Sequence, residues 1–270
     1  LYLLREEWEG SIKFIFQPAE EKYPGGAQQM IKEGVLNNPN VEKMFGQHVF
    51  PDLEVGKVGF CPGKYMASAD EIRIKILGSG GHAALPESYN NPLIPSAKLI
   101  SDLEEHFMRF RDIPAVFAIG FMHANGYCNV IPDSVELKGT FRTIDEEFRS
   151  LAHVQMQDIA KTIAKEYAVD IDLHISKGYP SLYNDETLTN QAIIYAKEYM
   201  GADNIVPLST RMTAEDFAYY CNEVPSCFYR LGTANKNKGI IHGLHTSRFD
   251  IDENALKVGM GLMAYLAVRS

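Results

Sequence analysis

The sequence predicts an α/β protein in which a β-α-β-β-α-β unit is inserted into a mixed-sheet domain formed by the two ends of the chain. Three observations predict it. Strand, helix and strand patterns follow one another within residues 11–49. From about residue 70 to 178, strands surround two helices in the order of a ferredoxin-like split βαβ unit. The α/β alternation then returns. The boundaries read as 1–69 and 179–270 for the two parts of the main domain, with 70–178 inserted between them.

The elements follow in order. Residues 1–8 read as the tail of an amphipathic helix ended by Gly10. Residues 11–17 (SIKFIFQ) form a nearly continuous apolar run, as in a buried parallel strand. Gly25-Gly26 precedes a helix through Met30 and Ile31 that Gly34 stops. Residues 43–49 form a second strand. Residues 71–76 alternate strictly, which marks a half-buried strand. A helix covers about 93–110, and strands follow near 115–122 and 133–142. Thr143-Ile144-Asp145-Glu146 has the form of a capping box and opens a helix with Phe148, Ala152, Ile159 and Ile163 on one side. Residues 170–175 alternate again. Helices near 185–200 (capped by Gly201) and 214–222, a strand at 226–231 and a helix from Asp252 complete the chain.

Composition narrows the function. The 270 residues are 46% hydrophobic, enough for real cores. The net charge of −9 argues against nucleic-acid or anionic-membrane partners, which require clustered Lys and Arg. No apolar run approaches the ~18 residues that span a membrane, and no basic-then-apolar leader opens the chain. Cys61, Cys128, Cys221 and Cys227 are widely spread without a CxxC pair, as reduced and mostly buried thiols of a cytoplasmic protein would be.

Several residues can carry chemistry. Glu20 and Glu21 follow the apolar run at 11–17, where the carboxyl end of a strand in an open α/β sheet meets ligands. Adjacent carboxylates are costly unless a cation or proton separates their charges. His48 closes the second strand, and His242 and His245 lie three apart in a loop before the last helix. Glu21, His48 and His245 offer the nitrogen and oxygen donors of a catalytic divalent ion. Residues 78–83 mimic a G-x-G-x-x-A dinucleotide loop, but Pro86, Asn90, Asn91 and Pro92 follow in place of an immediate helix. No G-x-S-x-G elbow is present, which argues against a serine hydrolase.

Taken together, the motifs resemble those of the di-metal aminoacylase and carboxypeptidase family of metallopeptidases. They are Gln17-Pro18-Ala19-Glu20-Glu21, Gly46-Gln47-His48-Val49, Gly80-Gly81-His82-Ala83, Asn129-Val130-Ile131-Pro132 with Gly139-Thr140-Phe141-Arg142, Thr213-Ala214-Glu215-Asp216-Phe217, and Leu244-His245. The likeness is greatest to the amidohydrolase branch: hippurate hydrolases, indole-acetyl-amino-acid hydrolases and N-acetyl-diaminopimelate deacetylases. It implies hydrolysis of the amide bond of N-acyl amino acids, with two divalent metal ions (zinc, manganese or cobalt) and a homodimer formed through the inserted lid domain. It makes Glu20 the general base and Glu21, His48 and His245 metal ligands. His82 becomes the lid histidine that reaches the reacting carbonyl, commonly in the partner subunit, and Asn129 and Arg142 hold the substrate carboxylate. A di- or tripeptidase of the same family and a non-catalytic remnant of the fold are the alternatives.

The sequence departs from the family pattern twice. Glu87 stands where a histidine often follows the lid proline, and no Cys-x-His pair precedes Gln17. The second departure implies that the main domain is truncated at its N-terminus, and that these 270 residues alone are inactive and weakly loaded with metal.

Overall fold

The computed structural model describes residues 1–2, 5–110 and 112–270. The chain opens with α1 (Ala27–Lys32), β1 (Met44–Glu54), β2 (Val58–Phe60), β3 (Gly63–Met66), β4 (Asp70–Leu77) and β5 (Gly81–His82). It continues with α2 (Leu93–Met108), β6 (Ala115–Ala124), β7 (Val130–Ile131), β8 (Ser134–Thr143), α3 (Glu146–Tyr167) and β9 (Asp170–Lys177). The last elements are β10 (Leu182–Asn184), α4 (Glu186–Met200), β11 (Ile205–Pro207), α5 (Ala218–Cys221), β12 (Ser226–Ala234) and α6 (Asn254–Arg269). Two compact units result: Leu1–Tyr65 with Leu182–Arg211 and Asp216–Ser270, and Met66–Ser181 with Met212–Glu215.

In the first unit, the described residues form a mixed sheet in the order β1-β12-β2-β11. β1 runs parallel to β12, β12 antiparallel to β2, and β2 parallel to β11. Every residue of β12 is buried, so this strand is covered on both faces. Cys227, Tyr229 and Leu231 pack on one face with Leu188, Ala192 and Ala196 of α4 and Ala255, Leu262 and Leu266 of α6. The alternate residues Phe228 and Arg230 face the other way, beside His48 and Phe50 of β1. Gly46 keeps that second face open, since a Cβ there would lie 2.6 Å from the Phe228 ring and 2.7 Å from Phe217.

In the second unit the sheet order is β6-β8-β4-β9, with antiparallel neighbours throughout. β4 alternates as its sequence requires: Ile72, Ile74 and Ile76 are buried and Glu71, Arg73 and Lys75 exposed. The isoleucines join Leu99 and Leu103 of α2 and Ala152, Met156 and Ile163 of α3 in one core. One polar cluster is also buried. Asp70 receives two hydrogen bonds from Arg149, one of them at 3.0 Å, with others from His153 Nε2 (2.6 Å) and the Gly178 amide (3.0 Å). The cluster ties the start of β4 to α3 and to the end of β9.

Several local expectations need correction. Among the described residues, 11–17 pairs with no strand, and Phe16 is 86% exposed. An apolar run specifies burial, but a strand also needs a non-local ladder partner. Here Lys13 Nζ instead ties the segment to the carbonyls of Val35 (2.9 Å), Asn37 (2.6 Å) and Pro39 (3.1 Å). In the expected opening helix, Leu3 and Leu4 lie outside the described residues, and Arg5 closes a single turn onto Tyr2. The helix placed near 214–222 is reduced to Ala218–Cys221, because Asp216 is buried ahead of it with its carboxylate committed elsewhere in the unit. The α3 N-cap is Asp145, which accepts from the Phe148 amide, and not Thr143, whose hydroxyl bonds to Pro114. Cys61 and Cys227 are buried but Cys128 is exposed. Gly34 ends α1 as expected, with Val35 N on Met30 O and Gly34 N on Ile31 O.

The Asp70 cluster gives a prediction with a definite sign. Burial pushes its carboxyl upward, but hydrogen bonds from His153 and Arg149 and the Arg149 charge outweigh burial and hold it at about 2, below the ordinary 3.8. The folded state thus binds fewer protons than the unfolded chain. The stabilisation is complete above about pH 4 and is lost as pH falls through about 2, a total of about 2 kcal/mol. Urea unfolding followed from pH 5 to 2 is expected to show this loss in the native chain and to lack it in Asp70→Asn. Equal pH slopes in the two proteins would remove Asp70 as the source.

Candidate metal centre

The first unit brings together the predicted acidic and histidine residues. His48 lies on β1, in register with Arg230 of β12. Its Nδ1 sits 2.7 Å from the Val49 carbonyl, so Nδ1 carries the hydrogen and Nε2 keeps its lone pair. Phe228 meets the imidazole edge-on, with ring centroids 6.1 Å apart. Burial is the first cause that lowers the His48 pKa, followed by the charge of Arg230; Arg211 adds to the lowering and Glu21 opposes it. A neutral imidazole with a free Nε2 is the form that ligates metal.

Both arginines are held by aromatic rings. The Arg211 guanidinium lies 4.6 Å from the Phe50 ring centre. Arg230 is buried, donates from Nε to the Tyr65 hydroxyl at 3.0 Å and lies 5.1 Å from the Phe228 ring centre. Cations set on ring faces in this way are fixed in place.

Glu20 and Glu21 sit in the loop between residue 17 and α1. The loop holds Ala19 in the left-handed region at φ 58°, uncommon for a residue with a side chain. Glu21 Oε2 lies 3.7 Å from His245 Nε2, and the two side chains are 71% and 72% exposed. His245 also has left-handed backbone, at φ 58°. Strained residues of this kind cluster at functional sites. His242, the other histidine of that loop, is half-buried.

This donor set fits a divalent ion. A carboxylate oxygen and an imidazole nitrogen at 3.7 Å need only a small approach to share one cation. Nearby, a Glu20 carboxylate oxygen lies within 4.8 Å of one from Asp216. Asp216 is already engaged: its oxygens accept from Gln17 Nε2 (2.8 Å to each) and from the amides of Gly26 (2.9 Å) and Ala27 (3.1 Å). These bonds tie it to both ends of the loop. Its motif is visible in the sequence but its role is not, because its partners are up to 199 residues away in the chain.

The remaining predicted residues lie in the second unit. The exposed His82 is on β5, paired with Val130 of β7, and the Ala83 amide donates to the Asn129 carbonyl at 3.0 Å. One short ribbon thus carries both His82 and Asn129. His82 Nδ1 accepts from the Ala84 amide at 3.1 Å, which leaves Nε2–H as the outward donor. Arg142 is half-buried on β8 and donates to the Met212 carbonyl at 3.2 Å.

Known proteins share this sequence and fold. The N-acetylcysteine deacetylase of Bacillus subtilis is 36% identical, over 98% of this chain and 67% of its own length. Thermostable carboxypeptidase 1 of Saccharolobus solfataricus is 33% identical, over 96% of this chain and 66% of its own. The crystal structure of the Bacillus subtilis YXEP protein, a dinuclear metal-binding peptidase, superposes with a TM-score of 0.82 at 34% identity, covering 98% of this chain and 67% of that one. The chain thus spans about two thirds of the length of these relatives. The model of peptidase family M20/M25/M40 matches residues 1–269, and the chain, a hydrolase of amide bonds, belongs to that family.

Proposed function

We propose that the protein removes the acyl group from N-acyl amino acids, with Glu20 as general base and Glu21, His48 and His245 as ligands of divalent cations. The observation that carries this reading is the approach of Glu21 to His245 beside an imidazole, His48, whose Nε2 lone pair is free. The proposed cofactor is a pair of divalent ions, in line with the dinuclear relative, with zinc, manganese or cobalt as the candidates. When bound, such ions supply Lewis acidity, which lowers the pKa of water and polarises an amide carbonyl.

The side chains do the rest. Glu20 takes the proton of the attacking water and returns it to the departing amine, so amide plus water becomes carboxylic acid plus amine. For the second unit, the proposed roles rest on the motif likeness. The outward Nε2–H of His82 donates to the oxyanion of the tetrahedral intermediate. Arg142 and Asn129 hold the substrate carboxylate, a task suited to the planar guanidinium fork. In this reading residues 70–178 form a ferredoxin-like lid that also joins two subunits in a cytoplasmic homodimer. Its β6 edge, with Phe121 and Met122 exposed, is the proposed contact.

The carboxypeptidase relative keeps a peptidase reading open, and substrates can decide it. The complete, metal-loaded enzyme is expected to hydrolyse acetyl-, benzoyl- or indole-acetyl-amino acids with higher kcat/KM than dipeptides. The reverse order would make it a peptidase. In the same preparation, Glu20→Gln is expected to cut kcat by roughly 10²–10⁴-fold with metal content retained. Loss of metal in place of turnover would exchange the roles of Glu20 and Glu21. For the dimer, mixed Glu20→Gln and His82→Ala subunits should regain activity, because one site of each heterodimer keeps both groups. Heterodimers without recovery would place His82 in the site of its own chain.

A further inference from the structure

We infer that Asp216 is a positioning residue that closes the base of the loop carrying Glu20 and Glu21. The inference rests on the proposed roles of those two glutamates. One buried carboxylate holds the chain on both sides of them. Before the loop, Gln17 Nε2 donates to both Asp216 oxygens at 2.8 Å. After it, the Gly26 and Ala27 amides donate to Oδ2 at 2.9 and 3.1 Å. Hydrogen bonds to an ionised acceptor are among the stronger ones in proteins. The same carboxylate thus gathers the amides that begin α1, which have no partner within the helix.

The surrounding backbone is shaped to this contact. Gly25 has φ +83°, and a Cβ at this position would sit 2.4 Å from Asp216 Oδ2. A Cβ on Gly26 would sit 2.0 Å from the Pro18 carbonyl oxygen, so the two ends of the loop meet. Within this closed ring, Ala19 keeps its left-handed backbone and Gly25 N turns back onto Lys22 O at 2.9 Å. A strained conformation persists only where the surroundings over-determine it, and Asp216 supplies that determination from the far end of the sequence. Its role is to hold the loop so that the Glu20 and Glu21 carboxylates keep one geometry.

Hydrogen exchange and kinetics together test this. Asp216→Ala leaves the Gln17 amide and two backbone N–H groups without their acceptor. Amides of residues 18–27 are expected to exchange faster than in the native protein, while β12 amides do not change. In the complete, metal-loaded enzyme, kcat should fall on the order of 10²-fold with KM altered about threefold or less. Asp216→Asn should recover most of the loss, because its carbonyl still accepts from Gly26 and Ala27 and a turned Gln17 amide can accept from its NH2 group. Leu262→Ala, in the core on the other face of the sheet, serves as a stability control and is expected to lower the melting temperature with kcat unchanged. If Asp216→Ala does not fold, Gln17→Leu cuts only the first side of the clamp and should show the same exchange pattern in weaker form. Native-like exchange at 18–27, or an equal kcat loss in Leu262→Ala, would overturn the inference. Glu20→Gln measured alongside separates the two readings: turnover in that variant sinks the general-base role, while faster exchange at 18–27 in Asp216→Ala still supports the clamp.

Discussion

The burial of β12 on both faces governs the first unit. A strand covered on one side can turn its other side to water, but β12 has no such side. Its odd-numbered residues Cys227, Tyr229 and Leu231 meet the helices, so the even-numbered Phe228 and Arg230 must be sheltered by something else. β1, running parallel in register, supplies His48 and Phe50 on that second face. Pairing of the backbone thereby places a histidine beside an arginine, an arrangement that neither residue would favour alone. The register also requires Gly46, since any side chain there would push the Phe217 and Phe228 rings aside.

Electrostatics then sort the site into two parts. Arg211 and Arg230 are fixed on aromatic rings and repel a proton from His48, and burial acts in the same direction. The carboxylates of Glu20 and Glu21 sit in the neighbouring loop, with Glu21 largely exposed. Imidazole nitrogen and carboxylate oxygen are donors that divalent transition metals accept. The cationic ring-stacked pair and the acidic loop therefore have complementary effects: one lowers the affinity of the histidine for a proton, and the other supplies negative charge at the proposed metal site.

The parts of the fold legible in the sequence are those in which pattern alone decides. Residues 71–76 alternate and form a strand with alternate faces buried. Gly34 and Gly201 stop helices at the expected places because no other residue adopts the left-handed or extended turn at low cost. Where the outcome depends on a distant partner, pattern fails. Residues 11–17 look like a buried strand but have no ladder among the described residues, and their lysine finds three carbonyls beyond α1. Of the proposed site, Glu20, Glu21, His48 and His245 stand out in the sequence because their motifs are local. Asp216 was visible as a motif member only, since its function is a contact with residues near the start of the chain. Arg211 and Arg230 left no signal, because an arginine stacked on a ring reads in sequence like one on the surface.

Two of the buried aspartates, Asp70 and Asp216, show how position decides what a carboxylate does. Asp70 is surrounded by the side chains of Arg149 and His153 and serves as the counter-charge of a core ion cluster. Asp216 is met by neutral donors, an amide side chain and two backbone amides, so it organises backbone and not charge. Three of its four N–H contacts fall on Oδ2 and one on Oδ1, so the carboxylate is held chiefly by the two ends of the loop. In the proposed division of roles, Glu20 acts on water, and the aspartate beside it shapes the loop. The cost of Ala19 in the left-handed region is offset at the base of the loop, where Asp216 holds both ends, and not at the glutamates themselves.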